Sequence, residues 1–156
     1  MTAYRFSYHR VVRPTETEPH LRFKNEPLLD IGLLNKKNGK IAKVMTYIDT
    51  GSQWCLFNKQ YAFELGIKNY DSVKPHIFGG VGGPNANTAY FHDITLLVYT
   101  EPNNLNQATA IRVDTKVGFC SKDFGFGGIL GVCGFLDHFI FTANIPQCYF
   151  MLENIL

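Results

Sequence analysis

Tyr47-Ile48-Asp49-Thr50-Gly51-Ser52 is the stretch on which the reading of this chain turns. A hydrophobic strand, Ile41 to Asp49, ends in a carboxylate, and three small residues follow. Gly51 lets another backbone come close. Thr50 and Ser52 bring hydroxyls that can orient the carboxylate and occupy its lone pairs. Asp, Thr and Gly also make ordinary turns, so the tetrapeptide alone leaves both readings open.

The flanking segments narrow the choice. Upstream, Leu28 to Leu34 is a strand, joined to Ile41 to Asp49 by a hairpin with Asn38-Gly39 as its turn pair. Before it, Tyr4 to Val12 sets Tyr4, Phe6 and Tyr8 in alternation, as in a half-buried strand, and Arg13 to Glu26 reads as loop. Downstream, Asn58 to Leu65 is expected to be a short helix, with Asn58 as its N-cap and Gly66 as the residue that ends it. Ile77-Phe78 and Thr88 to Tyr99 then flank a glycine-rich tip, Gly79-Gly80-Val81-Gly82-Gly83. Such a tip can move and lie flat on a ligand, or be a loose turn and nothing more. A phosphate loop needs a Lys and a following helix; here Pro84-Asn85-Ala86-Asn87 and a strand follow.

Ala108 to Val117 is a further strand, and Lys116 to Gly128 is irregular. Gly128-Ile129-Leu130-Gly131 reads as a buried strand pressed against another backbone. A dinucleotide loop is excluded there by the glycine spacing and the lack of a βαβ unit. Phe135 to Phe139 suits one helical turn, and Cys148 to Leu152 a last strand. Short strands chopped by 14 Gly and 7 Pro make a mostly β chain with one or two short helices.

Composition removes several function classes. Fifteen Lys+Arg against thirteen Asp+Glu leave a net charge of +2, too little for a nucleic-acid footprint. No apolar run approaches the ~20 residues that span a bilayer, and Met1 to Phe6 has no apolar leader. No membrane partner and a cytoplasmic address are therefore expected. Cys55, Cys120, Cys133 and Cys148 are scattered and read as reduced, mostly buried thiols. The histidines show no metal-ligand spacing, so no metal or cofactor is expected, and His92 reads as a solvated side chain. After Lys122 the chain carries only Asp123, Asp137 and Glu153 as charges. So apolar a tail should be buried, in the core or against a partner.

The three features, in this order, resemble the retropepsin-like aspartic proteases. Ile48-Asp49-Thr50-Gly51-Ser52 matches the family's apolar strand leading into Asp-Thr-Gly-Ser. Leu65-Gly66 matches the end of the helix that follows, and Gly79 to Gly83 looks like a retroviral flap tip. Ile129-Leu130-Gly131 matches the apolar-apolar-Gly motif beside the active site, and Gly134 to Phe139 is similar to a segment of bacterial members. Two departures are Val132, where bacterial members often carry Arg, and Pro84 directly after the flap glycines.

The resemblance implies an acid-protease barrel over residues 28–156, preceded by an N-terminal arm, 1–27, with one catalytic Asp per chain. It implies peptide hydrolysis by two carboxylates and a water. This chain has one Asp-Thr-Gly-Ser, so the second carboxylate comes from a homodimer mate. Thr50 would lock the two active loops, Gly51 would permit their approach, and Ser52 would bond to the outer carboxylate oxygen. The flap glycines and Val81 would cover an extended peptide or protein substrate. The tail from Tyr149 would interleave with the mate, with Tyr4 to Val12 as its neighbour. The alternative is a retropepsin-fold peptide-binding or assembly module with little or no hydrolytic activity.

Overall fold

Strands of alternating burial build the molecule, and their order places the Asp49 loop. The computed structural model describes residues 1–80, 83–101 and 103–155. The N-terminal region holds β1 (Ala3–Ser7), β2 (His9–Val12), the short helix α1 (Pro19–Arg22) and β3 (Phe23–Glu26). Then come β4 (Leu28–Asn35), β5 (Lys40–Ile48), β6 (Leu56–Asn58), helix α2 (Lys59–Glu64), β7 (His76–Phe78) and β8 (Asn87–Val98). They are followed by β9 (Ile111–Cys120), β10 (Gly128–Leu130), β11 (Phe139–Asn144) and β12 (Tyr149–Asn154). Single 3-10 turns lie at Tyr70–Ser72 and Leu136–His138.

Six strands run in the order β4-β5-β10-β6-β9-β8, and β8 pairs back with β4 to close a barrel. Closure removes the unpaired edges of an open sheet. Along β4, Leu29, Ile31 and Leu33 point inward; along β5, Ala42, Val44 and Ile48 do the same. Phe57, Leu96, Val98, Phe119 and Leu130 fill the same interior, each buried. Thr46, fully buried on β5, satisfies its hydroxyl on the Leu29 carbonyl at 3.0 Å.

The Asn38-Gly39 hairpin and α2 support each other. Asn35 and Asn38 both donate side-chain hydrogen bonds to the Leu65 carbonyl, at 3.0 and 2.9 Å. That carbonyl belongs to the last turn of α2, where acceptors otherwise lack partners. Gly66, at φ 77°, ends the helix. Its N–H bonds to Phe63 O at 2.9 Å, and Ile67 N–H to Ala62 O at 2.8 Å. This is the reciprocal pair of bonds that closes a helix through a left-handed glycine.

Several sequence expectations need correction. Asn58 makes no side-chain cap; it is buried and bridges the loop after β9, accepting from Phe124 N–H at 3.0 Å and donating to Phe126 O at 2.5 Å. Tyr4 to Val12 is two strands, because Tyr8 N–H bonds to Cys148 O at 2.8 Å and β2 then turns away to pair with β3. Arg13 to Glu26 is not simple loop, since it contains α1 and β3. Strand β9 runs on to Cys120, and β11 stands where no strand was expected. His92 is half-buried, not solvated: its Nε2 lies 2.7 Å from Tyr70 O and its ring tilts on Phe119. Two thiols, Cys55 and Cys120, are buried, and Cys133 and Cys148 are half-buried.

The apolar tail is covered by its own chain. Strand β12 lies between β1 and β11, so both its edges are already paired. Its two edges are thus taken within the chain, and among the described residues β1 and β11 form the outer edges of this sheet. Phe150 is fully buried here, with its ring 5.2 Å from Phe6 and 6.0 Å from Phe141.

Two outcomes follow for stability. Phe150→Ala should cost about 3–5 kcal/mol in urea unfolding, the range for emptying a buried aromatic site. The Lys36 ammonium, 2.5 Å from Asp114, and the Thr95 hydroxyl at 2.6 Å hold the Asp114 carboxyl below its ordinary range. A lowered native value means the contribution is present above the unfolded carboxylate range and fades as pH falls through the native one. Both ion-pair partners are mostly exposed, so Asp114→Asn should cost only about 0.5 kcal/mol at neutral pH. The difference from wild type should shrink as pH falls below the ordinary carboxylate range of about 3.9.

Candidate active site

Strand β5 delivers Asp49 to the mouth of the barrel. The Asp49 N–H bonds to Leu130 O at 3.1 Å, extending the parallel pairing of β5 with β10 by one residue. The chain then turns: Ser52 N–H reaches Asp49 O at 3.2 Å, and Gly51 N–H reaches Asp49 Oδ1 at 2.9 Å. An Asp-led turn makes bonds of this local kind anyway. What sets this loop apart is its lock onto the segment after β10. Val132 N–H bonds to Ser52 O at 2.9 Å, and Cys133 N–H to Gln53 O at 2.8 Å.

Gly131 makes that lock possible. A Cβ there would sit 2.3 Å from Trp54 O and 2.7 Å from Ser52 O, both backbone atoms. Ile129 pairs with Tyr47 of β5 and Leu56 of β6, and Leu130, fully buried, pairs with Ile48 of β5. Thr50 and Gly51 are exposed and Asp49 is half-buried, so the carboxylate stands at the surface of a rigid loop. Among the described residues, a hollow of about 640 Å³ lies away from this loop, between β1–β2 and Tyr99, Thr100, Glu101, Asn103 and Leu105. One inferred role does not match the geometry. Ser52 donates its hydroxyl to Trp54 O at 2.9 Å, inside its own loop, rather than to the carboxylate.

The glycine tip joins β7 to β8, which pair antiparallel from His76↔Ala89 to Phe78↔Asn87. Gly80 at φ 146° and Gly83 at φ 104° hold conformations that favour glycine, and Gly83 N–H bonds to Gly80 O at 3.1 Å. Gly79 is exposed. Val81 and Gly82 lie outside the described residues.

Sequence reasoning missed two groups around Asp49. The first is an aromatic cluster at the base of the β7–β8 hairpin. Trp54, just past the Asp49 loop, meets His76 at 5.3 Å and Phe91 at 5.6 Å, both edge to face. His76 also lies 5.5 Å from Phe91, so these rings tie the hairpin to the loop. The one Trp so near Asp49 was the available signal. The second is polar. Glu26, only 5% exposed, accepts from Arg13 at 2.9 Å and from the Tyr47 hydroxyl. Burial, then the Glu26 carboxylate, pushes the Tyr47 phenol up to about 12. Burial likewise raises the Cys55 thiol to about 12, so this cysteine next to the loop is an inert core residue.

No group of three or more His, Cys, Asp or Glu is placed to hold a metal among the described residues, and no described helix is long and apolar enough to cross a membrane. No protein-family profile matches the sequence, and no curated protein matches it. Solved structures do. The chain is similar to a retropepsin-like aspartic protease from Rickettsia conorii, at 18% identity and a TM-score of 0.49, covering 78% of this chain and 87% of that one. It is also similar to the retroviral protease-like domain of Ddi1 from Leishmania major, at 14% identity and a TM-score of 0.47, covering 83% and 94%.

The tight packing at Gly131 gives a direct check. Gly131→Ala should destabilise the fold by about 3 kcal/mol or more, since the added methyl meets backbone that cannot move aside. Gly39→Ala, where open space surrounds the site, should cost less in the same urea titration, with only its positive φ as strain.

Proposed function

We propose that this chain is half of an aspartic endopeptidase, with Asp49 of two copies facing each other across a two-fold axis. The observation that carries the reading is the Asp49-Thr50-Gly51-Ser52 loop: a single carboxylate, half-buried, on a surface loop locked to β10. One carboxylate cannot take a proton from the water and donate one to the carbonyl at the same moment, and an open surface does not enclose a substrate. A second copy would supply both needs. We take residues 28–156 as the domain that does the chemistry and 1–27 as its arm. We place it in the cytoplasm, a setting that four free thiols suit.

Two carboxylates in contact do not both ionise cheaply and share one proton. The ionised one takes a proton from a water held between them, and the water oxygen bonds to the scissile carbonyl carbon. The protonated one donates to the carbonyl oxygen, which takes up the charge of the broken double bond. As the C–N bond breaks, the first carboxyl passes the proton it took from the water to the leaving nitrogen, the second recovers a proton from a hydroxyl of the tetrahedral carbon, and an acid and an amine depart. Thr50 and Gly51, exposed in the single chain, would meet their copies at the axis. Gly79 to Gly83 would cover an extended peptide, which would lie as an added strand. The unpaired edges of β1 and β11 are where the two copies would join.

The test is cleavage of a peptide library by wild type and Asp49→Asn, with the mass of each in solution. Wild type should be dimeric and cleave, and Asp49→Asn should remain dimeric with at least a ~10³-fold lower rate, since both roles of the carboxylate pair are lost. A dimer that binds peptides and cleaves none would favour a binding module; a monomer that cleaves would contradict the two-copy site.

A further inference from the structure

The N-terminal arm meets the active strand just before Asp49, where Pro27 O accepts from Ile48 N–H at 3.0 Å and Glu26 accepts from the Tyr47 hydroxyl. Side chains alternate along a strand, so Tyr47 and Asp49 project to the same side of β5 while Ile48 points into the core. Ile129 is the parallel partner of Tyr47, which puts its side chain on that side too. Phe126 meets the Tyr47 ring edge to face at 5.1 Å and is 38% exposed. Tyr47, Ile129 and Phe126 thus make a partly open apolar wall next to the carboxylate.

The far end of the wall is polar and comes from the arm. Glu26 ends β3, and its buried carboxylate takes the Tyr47 hydroxyl on one oxygen and Arg13 on the other. A buried carboxylate without partners is costly, so Glu26, Arg13 and Tyr47 hold one another in place. Removing the arm would leave the phenol without its acceptor and free the ring to turn. We propose that the arm is a working part of the site: Arg13 and Glu26 fix Tyr47 as a specificity-determining wall that receives an apolar side chain of the peptide beside the bond to be cut. The inference rests on the endopeptidase reading for its substrate, but not for its test.

That test uses pairs of peptides identical except for Phe or Ala at one position next to the cleaved bond. Tyr47→Ala should lower kcat/KM for the Phe peptide about 10–100-fold, the range for lost apolar pocket contacts, and leave the Ala peptide within about 2-fold. Glu26→Gln, which keeps the size of the side chain, should raise KM for the Phe peptide several-fold with kcat nearly unchanged. A merely structural role would lower both peptides' rates together. Folding is checked by circular dichroism, and Tyr47→Phe serves as the variant that keeps the ring. The same Phe and Ala peptides, labelled and titrated into Asp49→Asn and into the double variant with Tyr47→Ala, report binding by fluorescence anisotropy. No cleavage by wild type would defeat only the endopeptidase reading, and the binding arm would still decide this one. Equal discrimination between Phe and Ala peptides by wild type and both Tyr47 variants would overturn the inference.

Discussion

Everything at the mouth of this barrel depends on the insertion of β10 between β5 and β6. The chain runs from β5 through the Asp49 loop into β6, and a strand from far downstream enters the gap between them. Only a backbone almost free of side-chain bulk fits. At Gly128 a Cβ would lie 2.4 Å from the Phe57 ring, and at Gly131 one would lie 2.3 Å from Trp54 O. The two glycines bracket Ile129 and Leu130, which supply the apolar contacts. The hydrogen bonds of Asp49, Val132 and Cys133 then fix the loop in one geometry. A carboxylate held this way loses little on meeting another group, because its surroundings are already ordered.

Two further elements are tied to the same loop. Rings at Trp54, His76 and Phe91 couple it to the base of the β7–β8 hairpin. The hairpin is thus anchored where it meets the loop. On the other side, Tyr47 links β5 to Glu26 and Arg13 of the arm. Aromatic contacts of this kind contribute about 0.5–1.5 kcal/mol each beyond burial, small singly but convergent here on one loop.

Much of this was legible in the sequence because it rests on local chemistry. Asn38-Gly39 announces its hairpin, Gly66 the end of α2, and Gly128 and Gly131 a strand under close approach. What escaped depends on partners distant along the chain. Asn58 looked like a helix cap but spends its amide on Phe124 and Phe126, more than sixty residues away. Ser52 looked like a ligand of the carboxylate but turns to Trp54. Glu26 read as the end of a polar loop, and nothing nearby foretold its burial against Arg13 and Tyr47. Strand β11 was hidden because Phe139 to Asn144 lacks a clean alternation; its place is set by β12, which needed a second neighbour.

The central claim is that one working site needs the Asp49 of two chains. Mixing wild type with Asp49→Asn in known ratios, after unfolding and refolding together, tests it most directly. If two carboxylates are required, mixed pairs are inactive and total activity follows the square of the wild-type fraction. Activity strictly proportional to the amount of wild-type chain would mean that each chain works alone, and would contradict the account.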